Sequence, residues 1–538
     1  MLLSISGGDM KALIRRDLAF YNLQVILLAL SFVYVAKKYT LISGNQVTVA
    51  LLLVVGVFFW LNRKHSLQKP ESLKIPFSLI PVFLLFFWFA YIGIFGKFDI
   101  PSIVFHLQMG AGGGFLSGFY KPLVRYLGSF LLFAVAFAIL LNLDRRFLRL
   151  DRTLCVPLLL VNPMFWGMGN YWIADDPRDD RLLSAYQAPG LPVLTTKTPK
   201  NLIVLYAESM ERTLGHITYG DYSFAEMNRL AGQGLEFIGV RQVENTGWSM
   251  AGFVTSQCGM PLQPYGLLSH NMFNEQKDFY TGVDCMSDIL VSNQYHAEFI
   301  DGGDHNFAGM APFLKTHQFS AASGIAEHAA LAGDYRNEWG LYDDTLLSIA
   351  AGRIRDLAQK PNPYMLSIAT IGAHFPTGNP TRSCAEAGIR QGLPEILYAV
   401  KCSGYEIERF VETLRSEGLL KNTLLVVVSD HLMMKAEFDE ALNAEDRMNY
   451  LVVLGDDIEP AQITRDAAMF DVMPTLLDLL GFELNKQRSG LGVSLLSENK
   501  TLAEQHGYSK LNEFIASDRL LAHKAWLDRK EQSFVALQ

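Results

Sequence analysis

The sequence predicts an α/β domain with a mainly parallel sheet, carried behind a region of five membrane-spanning helices. Three observations predict it. Half of the 538 residues are apolar, and they crowd into residues 1–174, giving a mean hydropathy of +0.16 that is high for an ordinary soluble enzyme of this size. Beyond residue 199, short near-continuous apolar runs alternate with helical patterns, as parallel strands buried on both faces require. Several of those runs end abruptly in groups that can ligate a metal or touch a phosphate.

The spans come first. A bilayer core takes about 20 apolar helical residues, and five runs approach that: Leu18–Val35, Val47–Leu61, Phe77–Phe95, Tyr126–Leu143 and Leu154–Ile173. No small-residue cleavage site follows the first, so it is read as a span and not as a signal peptide. Lys11, Arg15 and Arg16, then Arg63, Lys64, Lys69 and Lys74, then Arg145, Arg146, Arg149 and Arg152 mark the cytoplasmic side. The two other loops are poorer in Lys and Arg. Five spans then carry the rest of the chain to the outer face. The loop "KFDIPSIVFHLQMGAGGGFLSGFYKPLVR" between the third and fourth spans is too rich in glycine for one straight helix, and Phe105, Leu107 and Phe115 suit the membrane surface. The domain reading is therefore 1–174 transmembrane, 175–198 connector, 199–538 catalytic. The net charge of −8 excludes a nucleic-acid partner as the natural expectation.

In the soluble part five strands are expected: Asn201–Ser209, His296–Gly303, Tyr364–His374, Leu424–His431 and Asn449–Asp456. Helices are expected over Asp343–Gln359 and Pro394–Glu417, and an amphipathic helix over Leu511–Gln532. Cys258, Cys285, Cys384 and Cys402 suit two disulfides in an oxidising compartment. Short loops favour the pairs Cys258–Cys285 and Cys384–Cys402, with four separate buried thiols as the alternative.

Parallel sheets bind ligands beyond the carboxyl ends of their strands. Glu208 ends the first strand, His374 follows the third, and Asp430-His431 end the fourth. A carboxylate with an imidazole suits zinc or manganese better than calcium. The competing readings are that Asp430 caps a helix and that Glu208 answers a helix dipole. In "NTGWSMAGFVTSQCGMP", Ser249 opens a small-residue segment, where a hydroxyl would meet free helical N–H groups and could seat a phosphoryl group. Ser249 as a plain N-cap is the alternative, and Thr246 and Thr255 are rival hydroxyls. His374, in "GAHFPTG", is either a phosphate contact or a surface turn residue.

Taken in order, "NLIVLYAES", "NTGWSMAG", "GAHFP", "VSDH" and "DVMPTLLDLLGF" resemble the lipoteichoic acid synthase and phosphoglycerol transferase family of the alkaline phosphatase and sulfatase superfamily. "FDIPSIVFHLQMG" and "EWGLYDD" resemble further segments of that family. The resemblance implies an alkaline-phosphatase/sulfatase-like α/β/α domain outside the cytoplasm. It implies Glu208, Asp430 and His431 as ligands of one divalent metal ion, manganese or zinc, with Ser249 as both ligand and nucleophile. His374 and Asp301 become substrate contacts. Two positions depart from lipoteichoic acid synthases: serine replaces their threonine nucleophile, and Ala308 and Met310 stand in "DGGDHNFAGMAPF" where a Trp and an Arg recognise glycerol. The chain is more similar to the Gram-negative phosphoglycerol transferases that decorate periplasmic glucans.

The function so implied is transfer of glycerol phosphate from phosphatidylglycerol to a periplasmic or surface glycan, through a covalent Ser249 intermediate, by an enzyme of the bacterial inner membrane. The alternatives are phosphoethanolamine transfer to lipopolysaccharide or another glycan, a sulfatase-type hydrolase, and a non-catalytic membrane scaffold. Neither "WSMAG" nor "QCGMP" sets a Pro two residues and an Arg four residues after its Ser or Cys, the context a formylglycine site needs, which disfavours the hydrolase.

Overall fold

The computed structural model describes residues 79–95, 99–109, short stretches between 124 and 167, and 180–526 apart from 191, 197, 265–277, 390–391, 435 and 519. The chain divides into two compact units, one made of Met1–Gly93 with Lys121–Gly167 and the other of Ile94–Tyr120 with Met168–Gln538.

In the first unit the third expected span is a helix, Leu79–Phe95. Phe130 packs edge-on against Phe83 and Phe86, and Asn162 donates to the carbonyl of Pro81. Among the described residues no helix is long and apolar enough to cross a membrane. The first two expected spans lie outside the described residues, and the last two are described only in part.

The second unit is built on an eight-stranded sheet of order β4-β3-β5-β1-β6-β7-β2-β8. Its strands are β1 (Asn201–Ala207), β2 (Leu235–Arg241), β3 (His296–Asp301), β4 (Ala321–Ser323), β5 (Tyr364–Ala369), β6 (Thr423–Ser429), β7 (Leu451–Leu454) and β8 (Ala461–Ala468). Only β7 runs against the rest. The apolar runs of β1 and β6 follow from the layers. Leu202, Val204 and Tyr206 enter one core while Ile203, Leu205 and Ala207 enter the other. Helices Ser249–Cys258 and Val472–Leu479 cover the first face, and Asp343–Leu357 and Glu395–Ser416 the second. Cys258 is joined to Cys285 and Cys384 to Cys402.

Three strands and one helix differ from expectation. β2 carries Glu236, a charge no sequence pattern admits to a buried strand; Arg212 pairs with it at 2.7 Å and makes it tolerable. β8 is an edge strand with an exposed, polar start, and β4 is only three residues long. The expected helix Leu511–Gln532 is two helices, Tyr508–Ser517 and Leu520–Trp526, with residues 527–532 outside the described ones. The chain breaks at Asp518, whose carboxylate accepts from the amides of Leu182, Leu183 and Leu521. Its amphipathic face is a core face: Leu511, Ile515, Leu521 and Ala525 are buried, and Trp526 packs on Phe279 and Tyr280 while donating to the Gln263 carbonyl.

The helix Ile100–Met109 groups with the second unit, although the sequence places it between two spans. Phe105 is wholly buried there, against Trp248 and Phe279.

Candidate active site

Strands β5, β1 and β6 are neighbours, and their carboxyl ends are level. Tyr206 pairs with Ala369 and Ala207 with Ser429. Glu208 and Asp430 are thus the first residues past two adjacent strands. His431 follows, where the strand has ended and its side chain no longer has to point away from Asp430. Glu208, Asp430 and His431 are all buried, and one ligand atom from each lies within 4.8 Å of the others. His431 Nε2 is 3.4 Å from Glu208 Oε1 and 3.5 Å from Asp430 Oδ2.

The neighbours orient these groups. His431 Nδ1 is 2.7 Å from the carbonyl of Leu432, which fixes the proton there and leaves Nε2 as a ligand atom. Asp430 Oδ1 accepts from the amides of Ser209 and His431. Ser209 Oγ donates to Glu208 Oε1 at 2.7 Å, and the amide of Glu208 donates to Thr370 Oγ1. Ser209 holds φ at +57°, a conformation a serine seldom adopts. It serves Glu208 with its hydroxyl and Asp430 with its amide.

Ser249 is the first residue of its helix, after an extended Trp248. Its Oγ donates to Glu208 Oε2 at 3.1 Å and lies 3.4 Å from His431 Nε2. The rival hydroxyls are occupied elsewhere, Thr246 on the carbonyl of Val243 and Thr255 on that of Ala251.

Electrostatics match a cation site. Burial pushes the Asp430 carboxyl up to about 7, with the Glu208 charge adding to the rise. Burial would lower His431, but Asp430 and Glu208 outweigh it and push it up to about 10. Burial would raise Glu208, yet the charges of His431 and His374 and the hydrogen bonds from His431 and Ser209 hold it well below the usual carboxylate range. Two buried carboxylates and one imidazole on a common centre form a donor set that fits a divalent ion of the zinc or manganese kind. The cluster Cys258, Cys285 and His317 is the other grouping of metal-ligating residue types among the described residues. Its sulfurs are joined to each other, so they are not thiolate ligands.

His374 follows β5, with Nδ1 2.8 Å from the carbonyl of Phe375 and its ring on Trp339 at 4.0 Å. Asp301 ends β3 one strand further out. Its carboxylate turns back to accept from the amide of Gly303, and burial pushes it up to about 6. The sequence reading missed Ser209, Thr370, Trp339 and Gln242, whose Oε1 accepts from the amide of Leu432. None belongs to a pattern with a chemical signature; each acts by holding a neighbour.

Residues 200–482, more than half of the chain, match the sulfatase family. The chain is 29% identical over 413 residues to phosphoglycerol transferase I of Xanthomonas campestris, covering 74% of this chain and 58% of that one. It is 33% identical over 338 residues to phosphoglycerol transferase I of Escherichia coli, covering 60% and 44%. The chain therefore spans about half the length of the curated relatives it matches. Among solved structures it is similar to the lipoteichoic acid synthase LtaP of Listeria monocytogenes, at 15% identity and a TM-score of 0.49, covering 66% of this chain and 98% of that one. On the match over residues 200–482, the chain belongs to the sulfatase family.

Proposed function

We propose that this chain is a membrane-bound phosphoglycerol transferase, moving glycerol phosphate from phosphatidylglycerol to a glycan hydroxyl. The observation that carries the reading is the Ser249 hydroxyl at a helix start, 3.1 Å from Glu208 and 3.4 Å from His431. The names of the relatives from Xanthomonas campestris and Escherichia coli support the choice of group transferred.

Glu208, Asp430 and His431, with Ser249, would hold one manganese or zinc ion. Such an ion lowers the pKa of a bound hydroxyl and draws charge from a phosphoryl oxygen. Ser249 Oγ attacks the phosphorus of the lipid. The new Oγ–P bond forms as the bond from phosphorus to the diacylglycerol oxygen breaks, and in net terms the proton that Ser249 gives up goes to that oxygen. A glycan hydroxyl then bonds to phosphorus and releases Ser249, its proton returning in net terms to Ser249, so that one hard step becomes two. The first helical N–H groups after Ser249 face the developing negative charge. His374 and Asp301 would contact the substrate, with His374 on a phosphoryl oxygen.

The membrane reading rests on the five apolar runs and on exposed apolar side chains of the first unit, among them Ile80, Phe83, Leu127, Leu131 and Val135. A lipid face would cover these. Two disulfides suit the periplasmic side of a bacterial inner membrane. Residues 1–174 would form the membrane part, save the helix Ile100–Met109 that packs with the second unit, with 175–198 the connector and 199–538 the catalytic part.

Intact-protein mass spectrometry after incubation with phosphatidylglycerol, and separately with phosphatidylethanolamine, tests the proposal. A glycerol phosphate adduct on the Ser249 peptide is expected. A phosphoethanolamine adduct would replace the donor, and no adduct from either lipid would overturn the reading.

A further inference from the structure

The helix Ile100–Met109 brings a residue with hydrogen-bonding capacity to the threshold of the site. Phe105 anchors it, wholly buried between Trp248 and Phe279. His106, next in sequence, lies with its ring centroid 6.1 Å from Trp248 and 6.3 Å from Phe307. Trp248 directly precedes Ser249. Phe307 stands in the segment Asp301–Phe313, between β3 and the helix Met310–Thr316.

His106 has a defined hydrogen-bonding state. Nδ1 is 2.8 Å from the Ser102 carbonyl one helical turn back, so Nδ1 carries the proton and donates. Nε2 is then an acceptor, and it has no hydrogen-bond partner among the described residues. Burial lowers the affinity of the ring for a second proton, keeping that acceptor neutral. An imidazole acceptor between two aromatic rings suits a neutral hydroxyl on a small carbon chain, with C–H groups against the rings and O–H toward nitrogen. Among the described residues, the hydrogen-bond and ring partners of His106 are Ser102, Phe105, Trp248 and Phe307. None is a carboxylate, the partner an ammonium head group would need.

We infer that His106, Trp248 and Phe307 form a subsite for the hydroxyl-bearing head group of the donor, so that a segment lying between two expected spans sets donor specificity. The inference rests on the transferase reading above and adds the residues that select the group transferred.

The test uses the full-length protein in mixed lipid–detergent micelles, following adduct formation on Ser249 from phosphatidylglycerol and phosphatidylethanolamine. His106→Ala is expected to raise KM for phosphatidylglycerol about tenfold with a smaller change in kcat, and to erode the preference over phosphatidylethanolamine. His106→Gln, which keeps an acceptor oxygen, is expected to restore most of that preference. A KM and a donor preference unchanged in His106→Ala, with the adduct intact, would overturn the subsite and leave the transferase reading standing. An equal loss with both donors, not rescued by Gln, would assign His106 a purely structural role. Absence of any adduct in the unsubstituted protein would overturn both readings.

Discussion

Gly252 lies against the backbone of Asp430: a β-carbon at this position would come within 1.8 Å of the Asp430 carbonyl oxygen. The helix that begins at Ser249, the proposed nucleophile, and the segment that carries Asp430, a proposed metal ligand, therefore meet backbone to backbone. That approach sets Ser249, one turn earlier, at its distance from Glu208 and His431. Gly252→Ala must push the helix away. A cost of about 3 kcal/mol or more in stability is expected from overpacking at a backbone contact, together with loss of the Ser249 adduct. Thermal melting and mass spectrometry read the two effects separately.

Ser249→Ala removes the attacking oxygen and leaves Glu208, Asp430 and His431 in place. Transfer is expected to fall by at least about a thousandfold, with metal content retained when measured by atomic emission. Full transfer in this variant would sink the nucleophile assignment.

Metal removal should leave a distinctive pH dependence. In the stripped protein Asp430 is pushed up to about 7 from an ordinary 3.8. Between those values the unfolded carboxyl ionises and the folded one does not, so stability falls as pH rises. His431, pushed up to about 10 from 6.5, contributes stability that is full below 6.5 and lost as pH rises to 10. Glu208, held low, acts with the opposite sign only below its ordinary 4.5. The stripped protein should thus lose melting temperature from pH 5 to pH 9. The metal-loaded protein should gain over the lower part of that range, because ligands must shed protons to bind. Parallel slopes for the two forms would argue against a metal on this triad.

The Cys384–Cys402 bridge closes a loop of sequence separation 18. Replacing both cysteines with serine is expected to cost about 3 kcal/mol, measured by denaturant unfolding without reductant.

The strands on either side of the triad were legible because burial on both faces leaves little freedom in composition: β1 and β6 are rich in Leu, Ile and Val and end just before Glu208 and Asp430. β2 was illegible because Glu236 is buried with its partner 24 positions away, and adjacency in sequence says nothing of that pair. The triad could be proposed because metal ligands are few in kind. Ser209 and Gly252 could not: Ser209 holds its neighbours with a hydroxyl and an amide from an unusual backbone angle, and Gly252 supplies an absence of atoms. The break at Asp518 was hidden for a similar reason: periodicity continues across it, and only the amides of Leu182 and Leu183, from the far end of the domain, explain the carboxylate there.

Phe105 fills the core beside Trp248, yet it is encoded far upstream, between two expected spans. The second compact unit is therefore not a continuous piece of chain. A fragment cut at residue 199 would carry a phenylalanine-sized hole next to the helix that begins at Ser249, and filling that hole with Phe105 supplied in trans would be an intermolecular event. In the intact chain, closing the core of the second unit also tethers it to the segment between the third and fourth expected spans. The distance between Ser249 and that loop is then held by packing and not by the length of the connector.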